Sequence, residues 1–110
     1  MNDIFLPVTI ADLPIAIDRG RIARFCRERG VRSLSLFGSV LRDDFDPEQS
    51  DVDVLAEFAA GALAGVGLRY FGFAEELSEV LGHRVDFSAT LHPALREQVS
   101  RESVKLYEQA

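Results

Sequence analysis

Apolar and polar residues change rhythm several times along this chain, and each rhythm predicts an element. Residues 1–17 carry Ile4, Phe5, Leu6, Val8 and Ile10. Pro7 and Pro14 interrupt them, which suits an extended arm better than a helix. Asp18 then stands where an N-cap belongs, and Ile22, Phe25 and Cys26 follow at the three- and four-residue spacings of a helix face. Gly30 occupies the left-handed position that ends such a helix. Val31–Phe37 alternates, with Leu34 and Leu36 to one side and Ser33 and Ser35 to the other, the pattern of a short strand. A Gly38-Ser39 turn and a polar, acidic loop from Arg42 to Ser50 lead into a second alternating run. There Asp51, Asp53, Leu55 and Glu57 oppose Val52, Val54, Ala56 and Phe58.

Gly61, Gly65 and Gly67 predict a loop, followed by a helix from about Leu68 to Leu81 whose apolar stripe is Leu68, Phe71, Ala74, Leu77 and Leu81. Gly82 ends it. His83–Ser88 reads as another short strand, with Arg84, Asp86 and Ser88 on one face and Val85 and Phe87 on the other. Pro93 opens a helix of about ten residues as an N1 proline. The closing Val104–Glu108 fits either a last strand or a continuation of that helix. The order implies an α/β chain of the α+β kind: a small mixed β-sheet with helices packed on one face. Residues 18–110 form the domain and 1–17 an arm, which could pack on its own domain or on another chain in a homo-oligomer.

Composition narrows the function. A chain of 110 residues with 47% hydrophobic residues forms one domain with a modest core. A net charge of −6 and a pI near 4.8 leave no basic field for nucleic acid or an anionic membrane surface. Cys26 has no second cysteine to pair with, and its place on a helical apolar stripe marks it as core. No apolar run approaches the roughly 18–20 residues of a membrane span, and the N-terminus lacks a signal peptide's basic and apolar regions, so a cytoplasmic location is expected.

Strand alternation sets the carboxylates of Asp51 and Asp53 on one face, about 6–7 Å apart along the backbone. Asp86 comes from another strand, and if the two strands pair, three carboxylates converge. At about 4 Å and an effective dielectric of 20, each like-charge contact costs on the order of 4 kcal/mol, so a cation should accompany them. Hard carboxylate oxygens suit Mg²⁺, which keeps positions open for substrate phosphates. Two such ions would clamp the attacking and leaving oxygens of a phosphoryl displacement. Gly38 lets backbone approach a ligand, Ser39 adds a hydroxyl donor, and Arg42 can reach a triphosphate oxygen. Arg42 could instead pair with Asp43, Asp44 or Asp46. The acidic loop is no EF-hand, because the sixth-position glycine and closing glutamate are missing. His83 and His92 are isolated, and Tyr70 and Tyr107 are read as packing residues.

Taken together, FGSVLR, SDVDVLAEF and LGHRVDFS resemble the minimal nucleotidyltransferases of the DNA polymerase β-like superfamily, over about Asp18 to Glu108. The resemblance implies metal ligation by Asp51, Asp53 and Asp86, with Asp86 also activating the attacking hydroxyl, and triphosphate binding by Gly38 and Ser39. It further implies an antitoxin paired with a HEPN-type toxin, moving AMP from ATP onto a toxin tyrosine. Eleven residues separate Ser39 from Asp51, one more than the resemblance implies; the extra residue is expected to lengthen the Asp46–Ser50 loop. The chain lacks the added helical domain of larger members, so the acceptor should be a partner protein. Two function classes follow: an enzyme that transfers a nucleotide, and a non-catalytic antitoxin that neutralises its partner by occlusion.

Overall fold

A computed structural model of the chain describes residues 10–42, 44–89, 97, 99 and 101–109. Its sheet has four strands: β1 (Val31–Phe37), β2 (Val52–Phe58), β3 (Val85–Ser88) and β4 (Ser103–Glu108), in the spatial order β3-β2-β1-β4. β1 runs antiparallel to both β2 and β4, while β2 and β3 are parallel. The sheet is therefore mixed, as the sequence pattern implied. The last segment is a strand, which settles the ambiguity at Val104–Glu108; the helix expected from Pro93 lies largely outside the described residues.

Two helices, α1 (Arg19–Arg29) and α2 (Phe73–Leu81), pack on the same face. α1 begins where Asp18 accepts a hydrogen bond from the Arg21 amide and ends at Gly30, with φ +73°. Its Ile22, Phe25 and Cys26 meet Leu34, Leu36, Val104 and Leu106 from the sheet. Burial pushes the Cys26 thiol up to about 12, so it is a core side chain with no thiolate chemistry at neutral pH. α2 adds Phe73, Leu77 and Leu81 against Val52, Val54 and Ala56. Arg29 ties the two helices together: its Nε and Nη2 donate to the Glu76 carboxylate at 3.1 and 2.9 Å, and its guanidinium lies 4.3 Å from the centre of the Phe25 ring. The arm's end belongs to this core too, since Ile15 is buried and Ile10, Leu13 and Ile17 pack beside it.

One element departs from the sequence reading. The helix expected over Leu68–Leu81 starts as a 3₁₀ turn, Gly67–Gly72, and becomes α-helical at Phe73. With three residues per turn, the core-facing positions there are Tyr70 and Phe73. Leu68 and Phe71, placed on the buried stripe by a 3.6 period, are instead 84% and 77% exposed. Tyr70 packs among Phe58, Phe73 and Phe87. No helix among the described residues is long and apolar enough to cross a membrane.

Candidate active site

The acids cluster where β2 and its neighbour β3, an edge strand, begin. β2 and β3 pair in a register that sets Val52 beside Val85, Asp53 beside Asp86 and Val54 beside Phe87. Alternation turns the valines and Phe87 toward the helices and both aspartates to the opposite face. The sequence could show that each strand had such a face; the register makes the two acids neighbours. On its other side Asp53 pairs with Phe37 of β1, the residue before Gly38.

Gly38 is fitted to Asp53 both sterically and conformationally. Its φ is +77°, a left-handed value that side-chain-bearing residues rarely adopt. A Cβ built on Gly38 would collide with Oδ2 of Asp53 and lie 3.1 Å from its Cγ. The glycine thus provides the space into which the carboxylate projects. Immediately after it, Gly38–Leu41 forms a 3₁₀ turn that carries Ser39 and anchors itself through buried Val40.

The electrostatics follow from this packing. The Asp53 carboxyl titrates above the ordinary carboxylate range, first because it is partly desolvated and then because Asp86 and Asp51 repel its charge. Arg42 acts in the opposite sense, so its cation lies within electrostatic reach of Asp53. Among the described residues Arg42 makes no ion pair with Asp44 or Asp46; Asp43 lies outside them. A partly desolvated carboxylate with a second carboxylate beside it and a glycine-made space in front is a donor set that suits a divalent cation.

Asp51 stands apart from this pair. It precedes β2, is exposed, and points to Arg84, whose Nε is 3.1 Å from Asp51 Oδ1. Arg84 also donates through Nη2 to the Gln49 carbonyl at 2.6 Å. Among the described residues no three His, Cys, Asp or Glu side chains are grouped closely enough to hold a metal as they stand. The structure therefore brings Gly38, Asp53 and Asp86 together, with Arg42 within reach, and leaves Asp51 in an ion pair. Sequence reasoning placed Arg84 on the face of Asp86 but gave it no role. Alternation alone carried no signal for its ion pair with Asp51, which forms just before the paired register begins at Val52 and Val85.

The loop between Arg42 and Asp51 contains an ordered turn at Asp46–Ser50. Asp46 caps a compact turn, accepting from the Glu48 amide at 2.9 Å through its side chain and from the Ser50 amide at 2.8 Å through its carbonyl. A cavity of ≈ 530 Å³ opens elsewhere, beside α1 and α2, with Glu28, Glu75, Glu76 and Glu79 in its wall. None of the predicted site residues lines it, and its wall also carries Arg29 and Arg69.

Comparison with known proteins agrees with this geometry. A nucleotidyltransferase domain model matches residues 19–108. Among solved structures, a candidate minimal nucleotidyltransferase is 36% identical, with 77% of this chain and 85% of that chain covered and a TM-score of 0.59. A toxin–antitoxin structure with AMP-PNP is 20% identical over 84% of this chain and 75% of that one, with a TM-score of 0.65. The toxin–antitoxin MntA-HepT is 19% identical over 83% and 70%, with a TM-score of 0.57. These last two share the fold at low identity. No curated protein matches the chain. On a domain match that runs from the first residue of α1 to the last of β4, the chain belongs to the nucleotidyltransferase domain family.

Proposed function

We propose that this domain transfers AMP from ATP, with Mg²⁺, to a tyrosine of a partner protein, and that the partner is a HEPN-type toxin which the modification neutralises. The observation that carries the reading is the Asp53–Asp86 pair, held side by side by strand register and fronted by Gly38. Such a pair costs stability as two like charges directly opposite on a sheet, a cost consistent with selection for a cation site.

In this reading Asp53 and Asp86 are the principal metal ligands, and Asp51 joins them when it leaves Arg84. Bound Mg²⁺ would neutralise charge on the triphosphate and stabilise the attacking and leaving oxygens. The chain's own residues do the rest. Backbone amides at Gly38 and Ser39, with the Ser39 hydroxyl, bind phosphate oxygens, and Arg42 adds a fixed cation. Asp86 is exposed, so an incoming phenol can reach it. Its carboxylate takes the phenolic proton as the oxygen attacks the α-phosphorus. The bond from that phosphorus to the bridging oxygen breaks, and pyrophosphate leaves. The toxin–antitoxin structures of the same fold, one with AMP-PNP, support the choice of nucleotide and partner.

The test uses ATP labelled at either the α- or the γ-phosphate, the protein or its Asp53→Ala variant, MgCl₂ and a HEPN-type toxin. Label should pass to the toxin from the α position only and not with Asp53→Ala. Equal transfer by wild type and variant would refute the reading. A second reading, occlusion without transfer, is favoured by one observation: Asp51 is tied to Arg84 rather than grouped with the other acids. It predicts toxin neutralisation that survives Asp53→Ala.

A further inference from the structure

Asp51 and Asp53 lie on the same side of β2, yet the neighbouring strand offers them opposite partners. Parallel register places Asp86 beside Asp53; two residues earlier on each chain segment, Arg84 forms an ion pair with Asp51 at 3.1 Å. The backbone fixes this arrangement, because the Val52 amide donates to the Arg84 carbonyl at 2.8 Å. The Arg84 guanidinium is fixed at its other end by the Gln49 carbonyl. One cation thus pairs directly with the outer carboxylate, while the inner two stand side by side with Arg42 acting on Asp53 only through its field.

We propose that Arg84 is a positioning residue that stands in for a metal at Asp51, so that a divalent cation gains this carboxylate only by displacing the guanidinium. The inference rests on the metal-site reading of Asp53 and Asp86 given above. The pair is built for exchange. Its side chains are 69% and 51% exposed, so solvent screens it and it is weak. Arg84 lowers the repulsion among the three acids while no cation is bound, and it competes with the cation for Asp51. Exposed ion pairs of this strength correspond to a factor of about two to five in an equilibrium constant, and that factor is the expected size of the competition.

The experiment measures Mn²⁺ binding without nucleotide, by the electron paramagnetic resonance signal of the free ion. The proteins are wild type, Arg84→Gln, Arg32→Gln and Asp53→Asn. Mn²⁺ is a divalent cation that carboxylate oxygens also bind. Arg32 pairs with Glu57 on β2 at 3.8 Å, so its replacement removes the same charge from a site remote from Asp51. Arg84→Gln should bind Mn²⁺ about two- to fivefold more tightly, with Arg32→Gln unchanged and Asp53→Asn weakened. Unchanged or weaker binding by Arg84→Gln, with wild type still binding, would overturn the role of Arg84 and leave the metal site standing. Equal tightening in both arginine variants would assign the effect to net charge and also overturn it. Failure of wild type to bind Mn²⁺, with Asp53→Asn indistinguishable from it, would remove the metal site and this inference together.

Discussion

Gly38→Ala tests whether the glycine is there for its backbone, for the space it leaves Asp53, or for both. A non-glycine residue in the left-handed region costs roughly 1–2 kcal/mol, and Gly38 has φ +77°. Gly61 has the same φ of +77° but nothing within 4 Å of where its Cβ would be. Gly61→Ala therefore measures the backbone term alone. At Gly38 the new methyl meets the Asp53 carboxylate, whose Cγ is 3.1 Å and Cβ 3.4 Å away. The carboxylate must rotate off its position, an off-rotamer shift worth about 0.5–1.5 kcal/mol. Gly38→Ala should thus lose about 1.5–3.5 kcal/mol and exceed Gly61→Ala by about 0.5–1.5 kcal/mol. Urea unfolding followed by circular dichroism measures both, with unchanged m-values as the check that two-state comparison holds. The excess should shrink in the Gly38→Ala, Asp53→Ala double variant, where the obstructing carboxylate is gone. If Gly38→Ala costs no more than Gly61→Ala, the steric argument is wrong and the glycine serves the turn alone.

Asp53→Asn, studied in EDTA, should raise stability at neutral pH by about 0.3–1 kcal/mol, a figure reduced for solvent screening of a partly exposed group. The folded state holds the Asp53 carboxyl above its unfolded range through desolvation, Asp86 and Asp51. The charged form is therefore penalised on folding, and the penalty grows as pH rises from about 3.9 through the folded value. The gain from Asn should be absent near pH 3 and grow as the pH is raised from there towards 7; a pH-independent gain would contradict the like-charge account. Phe73→Ala should cost about 3–5 kcal/mol by core truncation, since Phe73 is 2% exposed. Phe71→Ala, at an exposed position, should change stability by no more than about 0.5 kcal/mol in the same urea titration; similar losses would restore Phe71 to the core.

Local rules carried the sequence reading a long way, and they failed where distance in sequence mattered. Asp18 and Gly30 bounded α1 correctly because capping is decided within a few residues. β1 and the alternating faces of β2 and β3 were legible for the same reason: a strand's two-residue period is a property of its own backbone. Around residues 67–73 the chain changes helix type, and a fixed 3.6 period then put Phe71 inward where Phe73 belongs. Packing of Tyr70 and Phe73 with Phe58 and Phe87 selects that geometry, and those contacts reach across the chain.

The site divides along the same line. Candidates for it, Gly38, Ser39, Arg42, Asp51, Asp53 and Asp86, could be proposed from type, spacing and strand face. Their relations could not. Whether Asp86 meets Asp53 or Asp51 depends on the register of two strands separated by a loop and α2. A slip of one residue would have turned Asp86 to the core and Val85 outward. Arg84 illustrates the point most clearly, because alternation alone shows only that it shares a face with Asp86. The sequence by itself determined which side chains stand on the polar face of each strand, since alternation is local. Tertiary structure decided which of them touch, because register is set by burying Val52, Val54, Val85 and Phe87 together against the helices.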